Sequence, residues 1–448
     1  MRIAWFSPLP PLKSGISEYS ETVVYELRKH AVVDLWVENI PQLRFCRDFR
    51  VYNYGERSEL LPLLETYDAI VYNMGNNAEF HAQMYDVLQV HPGIVILHDY
   101  VLHHFFAGYF LDKRRNSASY IREVHEQYGA ESADLARKCL EDGKPLWERE
   151  EVFHYPLNRT VLDRARGLVV HSEYARAMLR KQADKRPGLT TKKIDQPVSP
   201  LSRQHHSGSR EELGLPKDKI IVASLGFITP SKRLHKVIGA VAEDRFLRER
   251  VVILVIGESI SPDYRLEAYA TKYGIAPVVR MLGYLPIEAA YAYLRCADIC
   301  VNLRYPTMGE TSSSLIRIMS LGKPTLVSNV GWYADLPDDS VVKIDPLNEE
   351  EGLTSWLRRL VSDGELRDKI GETAKAYVER EHSLEKFVRE LCEFIQETGA
   401  EGSSLYIRVL DRITDTLNEL GQGADLVLPH LPAHLAWLYL EGGKRRAL

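Results

Sequence analysis

Short runs of apolar and β-branched residues alternate along the chain with longer stretches in which apolar residues recur every three or four positions. In the first half the runs predict strands at Ile3–Ser7, Val33–Val37, Val51–Tyr54, Ala69–Met74, Ile94–His98 and Leu168–His171. In the second half they predict strands at Ile220–Leu225, Val251–Ile256, Val278–Leu282, Ile299–Leu303, Thr325–Ser328 and Val341–Ile344. Runs such as VVILVI are apolar at every position, as in parallel strands covered on both faces. The stretches between them read as amphipathic helices. Repeated strand–helix alternation predicts an α/β protein with doubly wound layers.

At 448 residues the chain exceeds what one core supports, and two such layers are expected. A polar, turn-rich segment at 185–216, KRPGLTTKKIDQPVSPLSRQHHSGSREELGLP, reads as the linker, with His205 and His206 exposed in it. The boundaries follow as 1–200, 201–397 and a helical extension at 398–448. The extension contains LPAHLAWLYL, which reads as docking on its own chain ahead of a second subunit or a membrane surface. Between Val101 and Arg166 lies a charged helical insertion, longer than one crossover needs. It is either a lid or acceptor-side wall, or a cover for the sheet.

Charge narrows the classes. With 57 Lys+Arg against 62 Asp+Glu the net charge is -5, which leaves no footprint for non-specific nucleic-acid binding. The five cysteines are scattered and odd in number, which fits a reducing cytoplasm better than a disulfide framework. Cys296 and Cys300 lie one helical turn apart without a second pair or a nearby His, so core packing is favoured over zinc. The start, MRIAWFSPLPP, reads as a strand and turn and not as a signal peptide. No apolar run approaches the ~18 residues of a membrane span, although peripheral contact with a membrane face stays open.

Several chemistries lack their motifs. No G-x-G-x-x-G follows the first strand, and there is no G-x-x-x-x-G-K-[ST], H-E-x-x-H or G-x-S-x-G, nor two Asp at i, i+2. Hydride transfer, ATP hydrolysis and serine hydrolysis lose weight accordingly.

The chemistry-bearing residues fall at the carboxyl ends of strands, where open α/β sheets bind ligands. After the first strand, SPLPPLKSGISEY brings Ser14 and Gly15 to a helix start, where backbone N–H groups are free for an anion or hydroxyl. A plain N-cap is the simpler role for Ser14. After the fifth, ILHDYVLHH places His98 and Asp99 at the same edge, with His103 and His104 as weaker candidates. In SLGFITPSKRLHKVIGA, a strand, Gly226, a turn and then Lys232-Arg233 opening a helix make a phosphate-binding layout. Further on, RYPTMGETSSSLIRIMSLGKP sets Glu310 beside Gly309, and Thr311, Ser312, Ser313 and Ser314 then begin a helix. A carboxylate can accept from two sugar hydroxyls, and N–H and hydroxyl groups can hold a phosphate. A capped helix mouth explains the Ser/Thr run but not the Gly hinge or the second basic site.

Taken in order, SPLPPLKSGISEY, ILHDY, VVHSEYARAML, SLGFITPSKRLHKVIGA, RMLGYLPIEAAYAYLRCADICVNLR and GETSSSLIRIMSLGKPTLVSNVGWYADLP resemble the GT-B glycosyltransferases of retaining family four over about the first 395 residues. The resemblance implies two Rossmann-like domains facing a crevice, with a nucleotide-diphosphate sugar held mainly by the C-terminal one and a hydroxyl acceptor by the N-terminal one. Lys232 would hold the diphosphate and Gly15 would lie under the donor. His98 would contact the donor sugar and Glu310 its hydroxyls. Arg280, Met281 and Leu282 would frame the base, and Gly257 would close the pocket behind it. Gly226, Arg233, Gly309, Thr311, Ser312, Ser313 and Arg317 complete the expected donor site. Ser14, Asp99 and His103 form the expected acceptor side. Beyond the donor substrate no cofactor and no metal are expected.

Two departures stand out. Such proteins usually carry Arg five residues before the Lys, where this chain has Phe227. They also usually carry a second Glu, which holds the ribose, where this chain has Arg317. Arg317 would offset part of the missing phosphate charge or change nucleotide choice. With no evident protein nucleophile, retention implies front-face substitution. Nucleotide-sugar 2-epimerases, which act on the donor alone, and a catalytically silent nucleotide-sugar binder share the architecture and remain alternatives. Base, sugar, acceptor and oligomeric state stay open.

Overall fold

The computed structural model describes residues 1–39, 41–183, 189–198, 208–259 and 263–398. The extension expected at 398–448 lies outside the described residues from 399 on, as do His205 and His206. Residues Met1–Leu391 form one compact unit. Of the second unit, Cys392–Leu448, the described part is helical.

The first unit holds two all-parallel sheets. One has seven strands: β1 (Arg2–Phe6), β2 (Val32–Val37), β3 (Arg50–Asn53), β4 (Ala69–Met74), β5 (Gly93–Leu97), β6 (Ala165–Val170) and β7 (Thr190–Lys193). Their order is β3-β2-β1-β4-β5-β6-β7. The other has six: β8 (Ile220–Leu225), β9 (Val251–Ile256), β10 (Val279–Met281), β11 (Ile299–Asn302), β12 (Thr325–Ser328) and β13 (Val342–Ile344). Their order is β10-β9-β8-β11-β12-β13. Every residue of β9 is buried, as its unbroken apolar run requires.

Both orders reverse next to the first strand of the sheet, between β1 and β4 and between β8 and β11. These switch points open a crevice at the carboxyl ends, where the connecting helices diverge to opposite faces. The strand β7 corrects the linker assignment. Thr-Thr-Lys-Lys carries no apolar alternation and reads as loop, yet it pairs with β6 from Gly167↔Thr190 to Val170↔Lys193. At a sheet edge a backbone ladder can hold such a strand without an apolar face, and lysines there discourage further pairing.

The insertion between β5 and β6 belongs to the core of the first sheet. Phe105, Phe106, Tyr120 and Val124 are fully buried in one cluster with Tyr72, Val95 and Val170. The insertion also reaches the second sheet at its start, where the Val101 N–H donates to the Met308 carbonyl at 2.9 Å. Cys300 is buried within β11, and the Cys296 thiol donates to the Gly208 carbonyl, so both take packing roles. Among the described residues no helix is long and apolar enough to cross a membrane.

Candidate functional site

On the second sheet, β8 ends at Gly226, whose N–H donates to the Ile256 carbonyl at 2.8 Å. A turn at Pro230–Lys232 returns the Lys232 ammonium beneath the strand end, where Nζ donates to the Leu225 carbonyl at 3.1 Å. Burial first, and the neighbouring Arg304 charge second, lower its pKa from 10.5 to about 7. No carboxylate forms an ion pair with it among the described residues. Behind it stands Gly257, at φ 149°, where a Cβ would run into the Gly226 carbonyl. The pocket wall there is bare backbone.

From β11 comes the loop carrying Arg304 and Glu310. Glu310 Oε2 accepts from Thr307 Oγ1 at 2.8 Å and from the Met308 N–H at 2.7 Å. Its Oε1 lies 2.8 Å from Arg304 Nε, but that N–H points off the oxygen and makes no directed hydrogen bond. Arg304 Nη1 donates to Ser231 Oγ at 3.2 Å. Gly309, at φ 74°, lets the loop lie against the first sheet's side, since a Cβ there would come 2.6 Å from Tyr100 Cβ. The helix Ser313–Ser320 follows, capped by Ser312, whose hydroxyl accepts from the Leu315 N–H and donates to Asn302. Ser313 accepts from Gln196, and Thr311 is half-buried at the same mouth.

Facing these, β5 delivers His98 and Asp99. The Asn73 amide donates to the Phe6 carbonyl at 3.0 Å, which leaves its oxygen toward His98 Nε2 at 3.2 Å. His98 therefore carries its proton on Nε2, and burial pushes its pKa well below 6.5. Its ring stands edge-on to Tyr19 at 4.7 Å and 5.1 Å from His171. Asp99 Oδ2 accepts from the Asn76 N–H at 2.9 Å, and burial, then the Glu310 charge, push its pKa up to about 7. Gly15 opens the helix Gly15–Leu27, and a Cβ there would meet nothing within 4 Å. Its surroundings leave room for a ligand at that helix start.

The structure thus brings Lys232, Glu310, Asp99, Gly226 and Gly309 to one place. Other expected residues are committed elsewhere. Arg233 grips Glu349 through Nε at 2.9 Å and Nη2 at 2.6 Å, so it braces the helix at Glu349–Ser362 rather than a ligand. His103 is fully buried, with Nδ1 2.7 Å from the Tyr155 carbonyl and Nε2 2.7 Å from the Tyr120 hydroxyl. It is a core histidine of the insertion, which corrects its assignment to the acceptor side. Ser14 caps its helix by accepting from the Ile16 N–H at 3.2 Å. The Arg280 side chain bonds the Gly214 carbonyl. Met281 pairs with Val255, and the Leu282 N–H donates to the Val255 carbonyl. Arg317 is not a free charge, because Nη1 meets Glu18 Oε2 of the first sheet's helix at 2.8 Å.

Three residues escape the sequence reading. Arg304 is one; His171 and Tyr19 are the others, with a buried ring nitrogen and a buried hydroxyl that have no hydrogen-bond partner among the described residues. Arg304 and His171 sit just past strand ends, so the edge rule that found His98 could have found them. Nothing in the periodicity of its helix marks Tyr19.

Residues 207–377 match the family model described as glycosyl transferases group 1. The D-inositol 3-phosphate glycosyltransferase of Streptomyces bingchenggensis is 27% identical over 184 residues, covering 39% of this chain and 40% of the relative. That of Corynebacterium kroppenstedtii is 26% identical over 256 residues, covering 54% and 55%. The chain thus spans between two fifths and just over half of these relatives' length. Among solved structures, Anabaena Alr3699/HepE in complex with UDP and glucose aligns with a TM-score of 0.62 at 16% identity, covering 89% of this chain and all of that one. Sucrose-phosphate synthase from Thermosynechococcus elongatus aligns at 0.63 and 17%, covering 90% and 100%. Over residues 207–377 the chain matches the group 1 glycosyl transferases, and over both sheets it has the GT-B fold.

Proposed function

We propose that the protein is a retaining glycosyltransferase that moves a sugar from a nucleotide-diphosphate sugar to an acceptor hydroxyl. The observation that carries this reading is the Lys232 ammonium, buried at the β8–β11 switch point below a side-chain-free glycine wall, with no carboxylate in ion-pair contact among the described residues. A buried cation of depressed pKa is costly, and such costs cluster where an anion is to be bound. The diphosphate of the donor suits it, and the N-terminal backbone of the helix Ser313–Ser320 adds partial positive charge at the same mouth.

In the reaction the acceptor hydroxyl attacks from the side on which the diphosphate leaves, and the departing phosphate oxygen takes its proton. The protein contributes placement and stabilisation of charge on the leaving group. Lys232 carries most of the second part. Asp99, half-buried opposite Glu310, orients the acceptor. Fixed cations meet the leaving charge, so turnover in EDTA is expected. The free cysteines favour a cytoplasmic setting, and peripheral membrane contact would suit a lipid-linked acceptor.

The test is binding and slow hydrolysis across a panel of nucleotide sugars, with and without EDTA, followed by NMR of the released anomer. UDP-glucose leads the panel, because neighbours of the same fold bind UDP, glucose or UDP-glucose. D-inositol 3-phosphate is the first acceptor to try, from the relatives' names. Release of the α-anomer from an α-linked donor is expected. Release of the β-anomer would refute retention, and acceptor-independent conversion of the donor to its 2-epimer would replace the reading with an epimerase.

A further inference from the structure

We propose that Arg304 is a second diphosphate-binding cation, neutralised by Glu310 until the donor arrives and then exchanged onto the phosphates. This rests on the glycosyltransferase reading above. Strands β8 and β11 are neighbours in register, Ile299↔Val222 and Cys300↔Ala223, so whatever follows their ends meets. Ser231 and Lys232 follow β8, and Arg304 follows β11. The two segments are sutured, for the Tyr305 N–H donates to the Ser231 carbonyl at 2.8 Å and Arg304 Nη1 donates to Ser231 Oγ at 3.2 Å. Two cations therefore share one corner of the crevice, and each raises the cost of the other.

Glu310 holds Arg304 by charge, but through a poorly directed contact. Nε is 2.8 Å from Oε1, and it makes no hydrogen bond among the described residues. A guanidinium has five donors in a fixed fork and prefers two-point contact with an oxyanion; here the carboxylate gives it one poor contact. The Arg304 side chain keeps 18% of its surface open, so a ligand in the crevice can reach it. Glu310 does not need Arg304 to keep its place, because Oε2 is held by Thr307 and Met308. The exchange thus costs one weakly directed pair. It gives a charge-assisted bidentate contact on one phosphate while Lys232 takes the other. It also frees Glu310 Oε1 to accept from a sugar hydroxyl. Phe227, where similar proteins carry Arg, is consistent with this second charge coming from β11 instead.

The probes are UDP, GDP and ADP, each with its monophosphate, titrated calorimetrically against wild type, Arg304→Gln, Arg304→Lys and Glu310→Gln, with thermal melts as a control for folding. For the diphosphate that wild type binds, Arg304→Gln should lose about tenfold or more in affinity and the monophosphate far less. Arg304→Lys should recover part of the loss. Glu310→Gln should bind the diphosphate as tightly as wild type or more tightly, because it releases Arg304, while losing the extra affinity conferred by the sugar. If Arg304 only props Glu310, the Arg304 variants and Glu310→Gln will share one phenotype confined to the sugar, and the inference falls. Equal diphosphate affinity in wild type and Arg304→Gln also overturns it, with the functional reading intact. If wild type binds none of the three diphosphates and none of the nucleotide sugars in the panel, both fall. Should Arg304→Gln fail to fold, the sign of the Glu310→Gln effect on diphosphate affinity decides alone.

Discussion

Donor binding should draw a proton from solution, and the amount follows from Lys232. Its pKa stands at about 7 in the free protein, lowered by burial and by Arg304. The charge of a diphosphate against the ammonium outweighs both causes and lifts the group toward its ordinary 10.5. At pH 8 a group of pKa 7 is about 9% protonated when free and close to fully protonated when bound, so uptake is about 0.9 proton; at pH 6 it is about 0.1. The same linkage lowers the association constant about tenfold per pH unit above 7. The assay is calorimetry of a nucleotide sugar in buffers of different ionisation enthalpy, because the diphosphate of such a donor does not titrate in this range. Asp99 also sits at about 7 beside Glu310, and an incoming anion would push it further up. The experiment therefore uses Asp99→Asn, which removes that contribution and keeps the Lys232 one. Uptake below about 0.3 proton at pH 8 in that variant, with affinity flat from pH 6.5 to 8.5, would show that the diphosphate does not rest on Lys232.

The same lysine has a stability signature: a fall from 10.5 to about 7 penalises the folded ammonium form by about 5 kcal/mol. That penalty is full below pH 7 and fades as pH rises toward 10.5, because the unfolded chain then holds the extra proton. Lys232→Met should accordingly melt higher than wild type at pH 6, by a margin that narrows at pH 9, while losing about 100-fold or more in kcat; a lower melting point at pH 6 would refute this. His103→Leu leaves the Tyr155 carbonyl and Tyr120 hydroxyl unpaired and should cost about 2–4 kcal/mol in denaturant melts with kcat/KM of the folded enzyme unchanged. A selective rise in acceptor KM would instead restore His103 to the acceptor side. Gly309→Ala places a methyl group against Tyr100 and strains a backbone at φ 74°, so kcat/KM should drop about 10- to 100-fold. Unchanged turnover would mean that the loop does not work in this seated position.

Much of this architecture was legible because strands buried on both faces cannot hide. VVILVI can hardly be anything but a covered parallel strand or a buried helix, and its length and β-branching decide. Thr190–Lys193 was illegible for the opposite reason, since its side chains show no apolar alternation while its backbone pairs with β6. Position along the strand edge led to His98, Asp99 and Lys232. The edge could not show how charges divide among partners. Arg233 looks as free as Lys232 in sequence, but its carboxylate, Glu349, lies 116 residues away. Arg317 is expected to face the donor phosphates or base, but its partner Glu18 sits on the other sheet's helix. Nor does the sequence show that Glu310 is held by its own loop and paired with Arg304. Ion pairing is a tertiary property, and motif spacing carries no information about it.

The end of the compact unit returns to its beginning. Phe387 meets Tyr19 at 5.8 Å and His171 at 6.0 Å, and His382 Nδ1 bonds the Gln196 carbonyl at 2.7 Å. During synthesis the first sheet is complete once Lys193 has left the ribosome, yet the ring that covers Tyr19 emerges only 194 residues later (387 − 193). At bacterial to eukaryotic translation speeds that interval is about 10–40 s. For that time the nascent N-terminal half keeps an unfinished face, with a tyrosine and a histidine waiting for their neighbour. A chain cut after the first sheet never acquires that neighbour.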